Sequence, residues 1–388
     1  MELVQALAVL LPCNGIRFSD GENTLNSEPS YLPLSEGRVL PGLRFFPDLV
    51  YHPYQMPSVP YSSDIPYSVA PMMDWSDRHY RYFMRGITRR TLLYTEMIST
   101  AAIVHGDRAW LLDFDPEERP LALQVGGSDP DEIGRAVAAA EPWEYDEVNL
   151  NVGCPSDRVQ ERGLGACLMA SPDLVAHIVE RMKRNTDKPV TVKHRIGIDH
   201  LDRYEDMYRF VKTVREAGPD RFTVHARIAW LEGLSPKENR TVPPLRYEDV
   251  YRLKREMPDL DIEINGGIRT LDDADMHRRH VDKVMIGRAA YETPWVMSTA
   301  DMRIAAEACP SENRLSAAER MIPYIERFHA AGTPSRKIIR HMLGLFAGMP
   351  GARQWRQGLS GKLPENAAPL LAEVLRRMPR ASCEAPPA

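Results

Sequence analysis

The 388-residue chain has little cysteine: five residues, at 13, 154, 167, 309 and 383, with no CxxC spacing among them. An odd, scattered set excludes a disulfide framework and a thiolate metal site, and it fits a reducing cytoplasm. No apolar run approaches the ~20 residues of a membrane span. The short apolar stretch 6–11 follows Glu2 with no basic residue before it, which makes a poor signal peptide. Surplus positive charge is missing too. At a net charge of −5, any surface for a polyanion has to be local. No GxGxxG follows the first β-type run, which argues against a Rossmann dinucleotide site.

What is present is ordinary globular composition, 43% hydrophobic and 27% charged. The length suits one barrel of about 250 residues with a smaller domain beside it. Residues 1–64 are rich in Pro, Ser, Asn and Asp without a sustained period, and read as a mobile extension. From Tyr67 the texture changes. Eight short apolar, β-branched runs (68–72, 92–96, 121–125, 147–151, 190–194, 222–225, 261–265 and 284–287) alternate with helical stretches. Asp129-Pro130 opens a helix to Ala140 and Ser171-Pro172 one to Lys183, with further helices over 249–256 and 271–278. Eight strand–helix units predict an α/β fold, a (β/α)8 TIM barrel over 65–310, which leaves 311–380 for the smaller domain and 381–388 as a tail.

Each run ends in chemically useful residues: Met72-Met73, Glu96, Gln124, Asn151 to Cys154, Lys193, His225, Asn265 and Arg288. One such residue is ordinarily a satisfied core polar group. Eight at corresponding strand ends, which a barrel brings to one face, predict an occupied mouth. Asn265-Gly266-Gly267-Ile268 and Gly287-Arg288-Ala289 fall in the last two βα loops, where barrels hold phosphate on backbone N–H groups and a helix N-terminus. Glycine permits close approach there, and Arg288 adds a charged fork. A mononucleotide such as FMN fits this pattern, its ring near Pro71, Met72, Met73, Gln124, Lys193 and His225. Gln124 both donates and accepts, matching a flavin pyrimidine edge, and Lys193 suits negative charge near the N1–C2 carbonyl of reduced flavin.

Cys154 sits in Asn149-Leu150-Asn151-Val152-Gly153-Cys154-Pro155-Ser156, on a tight loop just past the fourth run. Its thiol is open to three readings: nucleophile, general acid, or small buried hydrophobe. No Ser/His/Asp or Cys/His pattern near it indicates acyl transfer, and a general acid best matches hydride delivery to one end of a C=C bond. Cys167, in Gly165-Ala166-Cys167-Leu168, reads as core packing.

These strings resemble the tRNA-dihydrouridine synthases, most closely their A-type branch. The matching segments run from Ala70-Pro71-Met72-Met73-Asp74-Trp75-Ser76-Asp77-Arg78 through Thr95-Glu96-Met97, Gln124-Val125-Gly126-Gly127 and Asn149 to Ser156. They continue through Val192-Lys193-His194-Arg195-Ile196-Gly197, His225-Ala226-Arg227, Gly233-Leu234-Ser235-Pro236-Lys237-Glu238-Asn239-Arg240, Ile264 to Ile268 and Gly287-Arg288, covering residues 67–360. The resemblance implies a TIM barrel followed by a small C-terminal helical domain (311–380), tRNA lying between them, and tightly bound FMN on Pro71, Met72, Met73, Gln124, Lys193, His225, Asn265, Gly266, Gly267, Gly287 and Arg288, with Cys154 as proton donor. It further implies NADPH as reductant, no metal, and reduction of D-loop uridine at about position 20 (U20/U20a), hydride going to C6 and a proton from Cys154 to C5. The extension before the first strand departs from the family pattern.

A uracil inside folded RNA has to be extruded to reach such a mouth, and Asn151 is placed to hydrogen-bond it. Residues 314–380 hold twelve Lys/Arg against four Glu, so the local surplus is +8 and the rest of the chain carries −13. That surplus reads as a footprint for a phosphate backbone, with a solvated helical face as the plainer alternative. Arg353 and Arg356 share a three-residue spacing, as do Lys237 and Arg240 in the loop after the sixth run, and all four are expected to grip tRNA. No obligate protein partner is implied, and a monomer is expected. Two other readings are weighed: a flavin barrel acting on a free pyrimidine, like the dihydroorotate dehydrogenases, and a non-catalytic RNA-binding protein. Bound flavin, seen as absorbance at about 450 nm, separates the last from the others.

Overall fold

Polar and apolar residues alternate along the middle strands, and that alternation explains the architecture. In β5 (Glu147–Val152), β6 (Val190–Arg195), β7 (Arg221–His225) and β8 (Ile262–Asn265) every second residue is polar, and the residues between are Val, Leu, Ile, Phe and one His. Period two sends the apolar set outward against helices and the polar set into the barrel. The computed structural model describes residues 61–379. Of the expected N-terminal extension only 61–64 are described; residues 1–60 and the tail 381–388 lie outside.

All strand pairs are parallel. The remaining strands are β1 (Tyr67–Val69), β2 (Leu93–Tyr94), β3 (Ile98–Ser99), β4 (Leu121–Gly126) and β9 (Lys283–Ile286). The ring runs β1-β9-β8-β7-β6-β5-β4-β2 and closes through a bridge between Ser68 and Leu92. β2 and β3 both pair with β4 and share the second barrel position, so the expected (β/α)8 barrel forms. Helices follow the strands. Asp129 caps Pro130–Ala140, whereas Ser171 precedes Pro172–Lys183 without a side-chain cap. The expected helices at 249–256 and 271–278 form as Tyr247–Glu256 and Leu271–His277.

Two strands differ from expectation. The run 92–96 is interrupted because the Thr95 hydroxyl accepts the Gln124 N–H at 3.0 Å, replacing a ladder bond and turning Glu96 and Met97 out of the strand. The run 68–72 stops at Val69. Pro71 has no N–H to give, and the Met72 carbonyl accepts from Trp75 and Ser76 at 3.0 and 2.9 Å, forming a turn.

After the barrel come helices Arg314–Glu319, Met321–Ala330, Arg336–Ile339, Ala352–Leu359 and Ala368–Arg376. They bury Trp355, whose indole N–H donates to the Met342 carbonyl at 2.9 Å. They pack on the barrel through His341 to Asp77 at 3.0 Å, His79 to Tyr324 at 2.9 Å, Arg327 to Asp115 at 3.0 Å, and an Arg320–Glu117 ion pair.

Candidate active site

The strand ends surround a cavity of about 1120 Å³, slightly larger than ordinary small-molecule pockets (roughly 300–1,000 Å³). Its lining contains Pro71, Met72, Met73, Gln124, Lys193, His225, Asn265, Gly266, Gly267, Gly287 and Arg288, together with Asn151, Cys154 and Arg240. The expected mouth residues therefore converge. Lys237 lies exposed on the turn before Arg240. Arg353 and Arg356 lie apart from the cavity, both exposed on the helix Ala352–Leu359.

The cavity carries a surplus of positive charge that suits an anion. Lys193, Arg195, Arg227, Arg240, Arg269 and Arg288 line it, against only Asp74 and Glu292. Arg227 Nε is buried with no hydrogen-bond partner. Gly266 and Gly267 have φ of 116° and 73°, a region costly for other residues. A Cβ on Gly266 would come within 2.6 Å of the His225 ring. These glycines, the spare Arg227 donor and the Arg288 guanidinium suit a phosphate group. The helix Arg288–Glu292 is only five residues long, so the glycine backbone and the guanidinium groups, rather than a helix dipole, are the donors on offer there.

The charges perturb one another. Burial, then the neighbouring Arg195, push Lys193 down to about 8, and its ammonium donates to Asn265 Oδ1 at 3.2 Å. Burial, then Arg195, Lys193, Arg227 and Arg288, hold His225 well below the usual histidine range, so it is a neutral imidazole at pH 7. Burial lowers Arg195 to about 10.

Cys154 stands at the rim, half-buried, its Sγ 3.6 Å from the Ser156 hydroxyl. The Asn151 side-chain oxygen Oδ1 accepts the backbone N–H of Gly153 at 3.0 Å and of Cys154 at 2.9 Å. Arg195 Nε donates to the Gly153 carbonyl at 2.9 Å. The thiol is thus carried by a loop fixed from two sides. Cys167, half-buried on the 3-10 turn Gly165–Ala170, does not line the cavity.

Arg195 and Arg227 join the cavity beyond the site residues expected from the sequence. Their signal was the period-two spacing: Arg195 follows Lys193 by two, and Arg227 follows His225 by two. Glu96 is expected from the sequence only as a polar strand end. It lies beside Asp77 and Asp74 with one buried oxygen unpartnered, and burial, then those carboxylates, push it up to about 7.

A parallel eight-position barrel with a cation-lined mouth and a thiol beside it defines a barrel enzyme whose site suits an anionic ligand. The chain belongs to the dihydrouridine synthase family, whose model matches residues 68–377. It is 56% identical over 314 residues to the tRNA-dihydrouridine(20/20a) synthase of Synechocystis sp., covering 81% of this chain and 94% of that one. It is 53% identical over 304 residues to the protein of that name in Pseudomonas aeruginosa, covering 78% and 92%. With that of Shewanella oneidensis it shares 52% over 305 residues, covering 79% and 91%. These relatives are of the A-type.

Proposed function

We propose that this protein reduces uridine to 5,6-dihydrouridine in the D-loop of transfer RNA, at positions 20 and 20a, with bound FMN and with NADPH as reductant. The observation that carries the reading is the placement of Cys154, on a loop held by Asn151, beside a cavity lined by guanidinium groups and glycines. Relatives more than half identical bear that activity in their names.

When bound, FMN supplies the hydride for C6 of the uracil ring. Arg288, Gly266, Gly267 and Gly287 would hold its phosphate; Pro71, Met72, Met73, Gln124 and Asn265 would seat its ring, with Lys193 and neutral His225 beside it. Cys154 donates a proton to C5 as general acid. Asn151 keeps one N–H for the extruded base, since its oxygen is committed to the loop. Arg240 and Lys237 at the rim, and Arg353 and Arg356 on the helical domain over 311–380, hold the RNA backbone. The protein works as a monomer in the cytoplasm. Among the described residues no helix is long and apolar enough to cross a membrane, and no cluster of His, Cys, Asp and Glu could hold a metal.

The test compares dihydrouridine in tRNA from cells lacking their own synthase, supplied with wild type or Cys154→Ala. Dihydrouridine in the D-loop with wild type alone supports substrate and proton donor together. Flavin binding by a wild type that forms none overturns the reading in favour of a free pyrimidine.

A further inference from the structure

Beneath the mouth, the polar side chains of three adjacent strands are joined in one unbroken hydrogen-bonded series, and its direction is forced at both ends. At the floor, Arg221 donates to both oxygens of Glu147, and Tyr94 and Tyr61 add O–H bonds at 2.9 and 3.1 Å. A carboxylate accepting these donors takes the Thr191 hydroxyl proton as well, at 2.6 Å. With its proton committed, Thr191 can only accept from Asn149, so Asn149 turns its NH2 towards it at 2.7 Å. The Asn149 oxygen then faces Gln124, whose NH2 donates at 2.8 Å, and the Gln124 oxygen accepts from the Asn151 NH2 at 2.9 Å. The Asn151 oxygen is left for the backbone N–H groups of Gly153 and Cys154, which can only donate. Reversing any one amide sets donor against donor or acceptor against acceptor at both its contacts. The strand register permits the series, because Gln124, Asn149 and Thr191 lie directly opposite one another on β4, β5 and β6. Asn149 and Thr191 are fully buried and do not line the cavity.

We infer that Asn149 and Thr191 are positioning residues for the reaction: they transmit the fixed polarity of the Glu147–Arg221 pair to Gln124 and Asn151, and so set the Cys154 loop and the N–H groups turned to the mouth. Each of the two mouth amides keeps one N–H beyond the bonds above. The mouth therefore presents donors: Asn151 offers its N–H to a carbonyl oxygen of the uracil, and Gln124 offers its own to the flavin ring. In relying on that substrate, the inference rests on the proposed function; its statement about the loop does not.

The experiment uses the flavin-loaded full chain as wild type, Thr191→Val and Thr191→Ser, with three readouts. These are the alkylation rate of Cys154 by iodoacetamide, followed at that peptide by mass spectrometry; reduction of the flavin by NADPH; and reoxidation of the reduced flavin by unmodified tRNA. Valine keeps the shape and removes the hydroxyl, whereas serine keeps the hydroxyl. Thr191→Val is expected to alkylate at least threefold faster and to reoxidise about tenfold more slowly, with NADPH reduction within twofold of wild type. Thr191→Ser is expected within twofold throughout. Equal alkylation and reoxidation per flavin in Thr191→Val and wild type, even with a lowered melting temperature, overturns the inference. So does equal impairment by valine and serine. Should Thr191→Val not fold, Asn149→Ala serves with the same criteria, since a water in its place imposes no direction. If wild-type reduced flavin ignores tRNA, the proposed function has failed, and the alkylation readout still decides the relay.

Discussion

Arg221 and Glu147 meet across the floor of the barrel at 2.5 Å, both side chains almost wholly buried. Burial opposes the Arg221 charge, but Glu147, Tyr94 and Glu263 outweigh it and raise the guanidinium well above its ordinary value. Removing one partner strands a buried charge. Arg221→Met is therefore expected to cost about 3–5 kcal/mol in urea unfolding, and the double variant Arg221→Met/Glu147→Gln distinctly less. Equal losses in single and double variants would show that the pair is not coupled.

How much of this was legible in the sequence depends on the level. Eight alternating units announced the barrel, because parallel strands need helical crossovers and these carried clear starts such as Asp129-Pro130. The mouth was legible because strand ends converge by geometry, so Lys193, His225 and Asn265 could be placed together without coordinates. The interior series was not. Thr191, Asn149 and Glu147 look like ordinary strand residues until the register sets Gln124 opposite Asn149 and Asn149 opposite Thr191, and register between distant strands is not written in either one. Likewise, nothing local foretold that the Thr95 hydroxyl would take the Gln124 N–H and split the second strand. The basic surplus of the tail was legible only as a sum. Arg320 and Arg327 are spent on Glu117 and Asp115 of the barrel, leaving Arg336, Lys337, Arg353 and Arg356 among the exposed ones.

Lys193 gives a pH signature for cofactor binding. Its ammonium, held down to about 8, is charged below that pH and neutral above it. A ligand that prefers the charged form binds at full strength below about 8 and more weakly as pH rises, by at most about tenfold per unit. Titration of the apoprotein with FMN from pH 7 to 9.5 is expected to show this decline. Lys193→Met should bind more weakly and with a flat profile. A decline that survives in Lys193→Met assigns the titration elsewhere.

Glu96 gives a stability signature of opposite origin. Burial, Asp77 and Asp74 raise its folded value to about 7, above the ordinary 4.5. Ionising it in the folded state is unfavourable, so its contribution is fully present below pH 4.5 and is lost as pH rises through about 7. Glu96→Gln mimics the neutral form. It is expected to be up to about 3 kcal/mol more stable than wild type at pH 8 and nearly equal at pH 4.5. Urea melts at the two pH values measure the difference, and a pH-independent offset would mean that the carboxyl titrates normally.

Arg353 and Arg356 test the RNA footprint most directly, because neither lines the cavity. They flank buried Trp355 on the helix Ala352–Leu359, and both side chains are exposed. Charge reversal at both should leave flavin content and melting temperature near wild type, since no buried contact is lost. Affinity for tRNA at low salt should fall about tenfold or more, and the dependence of log K on log salt should become shallower by about 0.7–0.9 for each phosphate contact removed. The slope matters more than the affinity. A weaker complex with an unchanged slope would mean a distorted surface rather than lost phosphate contacts, and unchanged affinity would move the RNA grip to the rim residues Lys237 and Arg240.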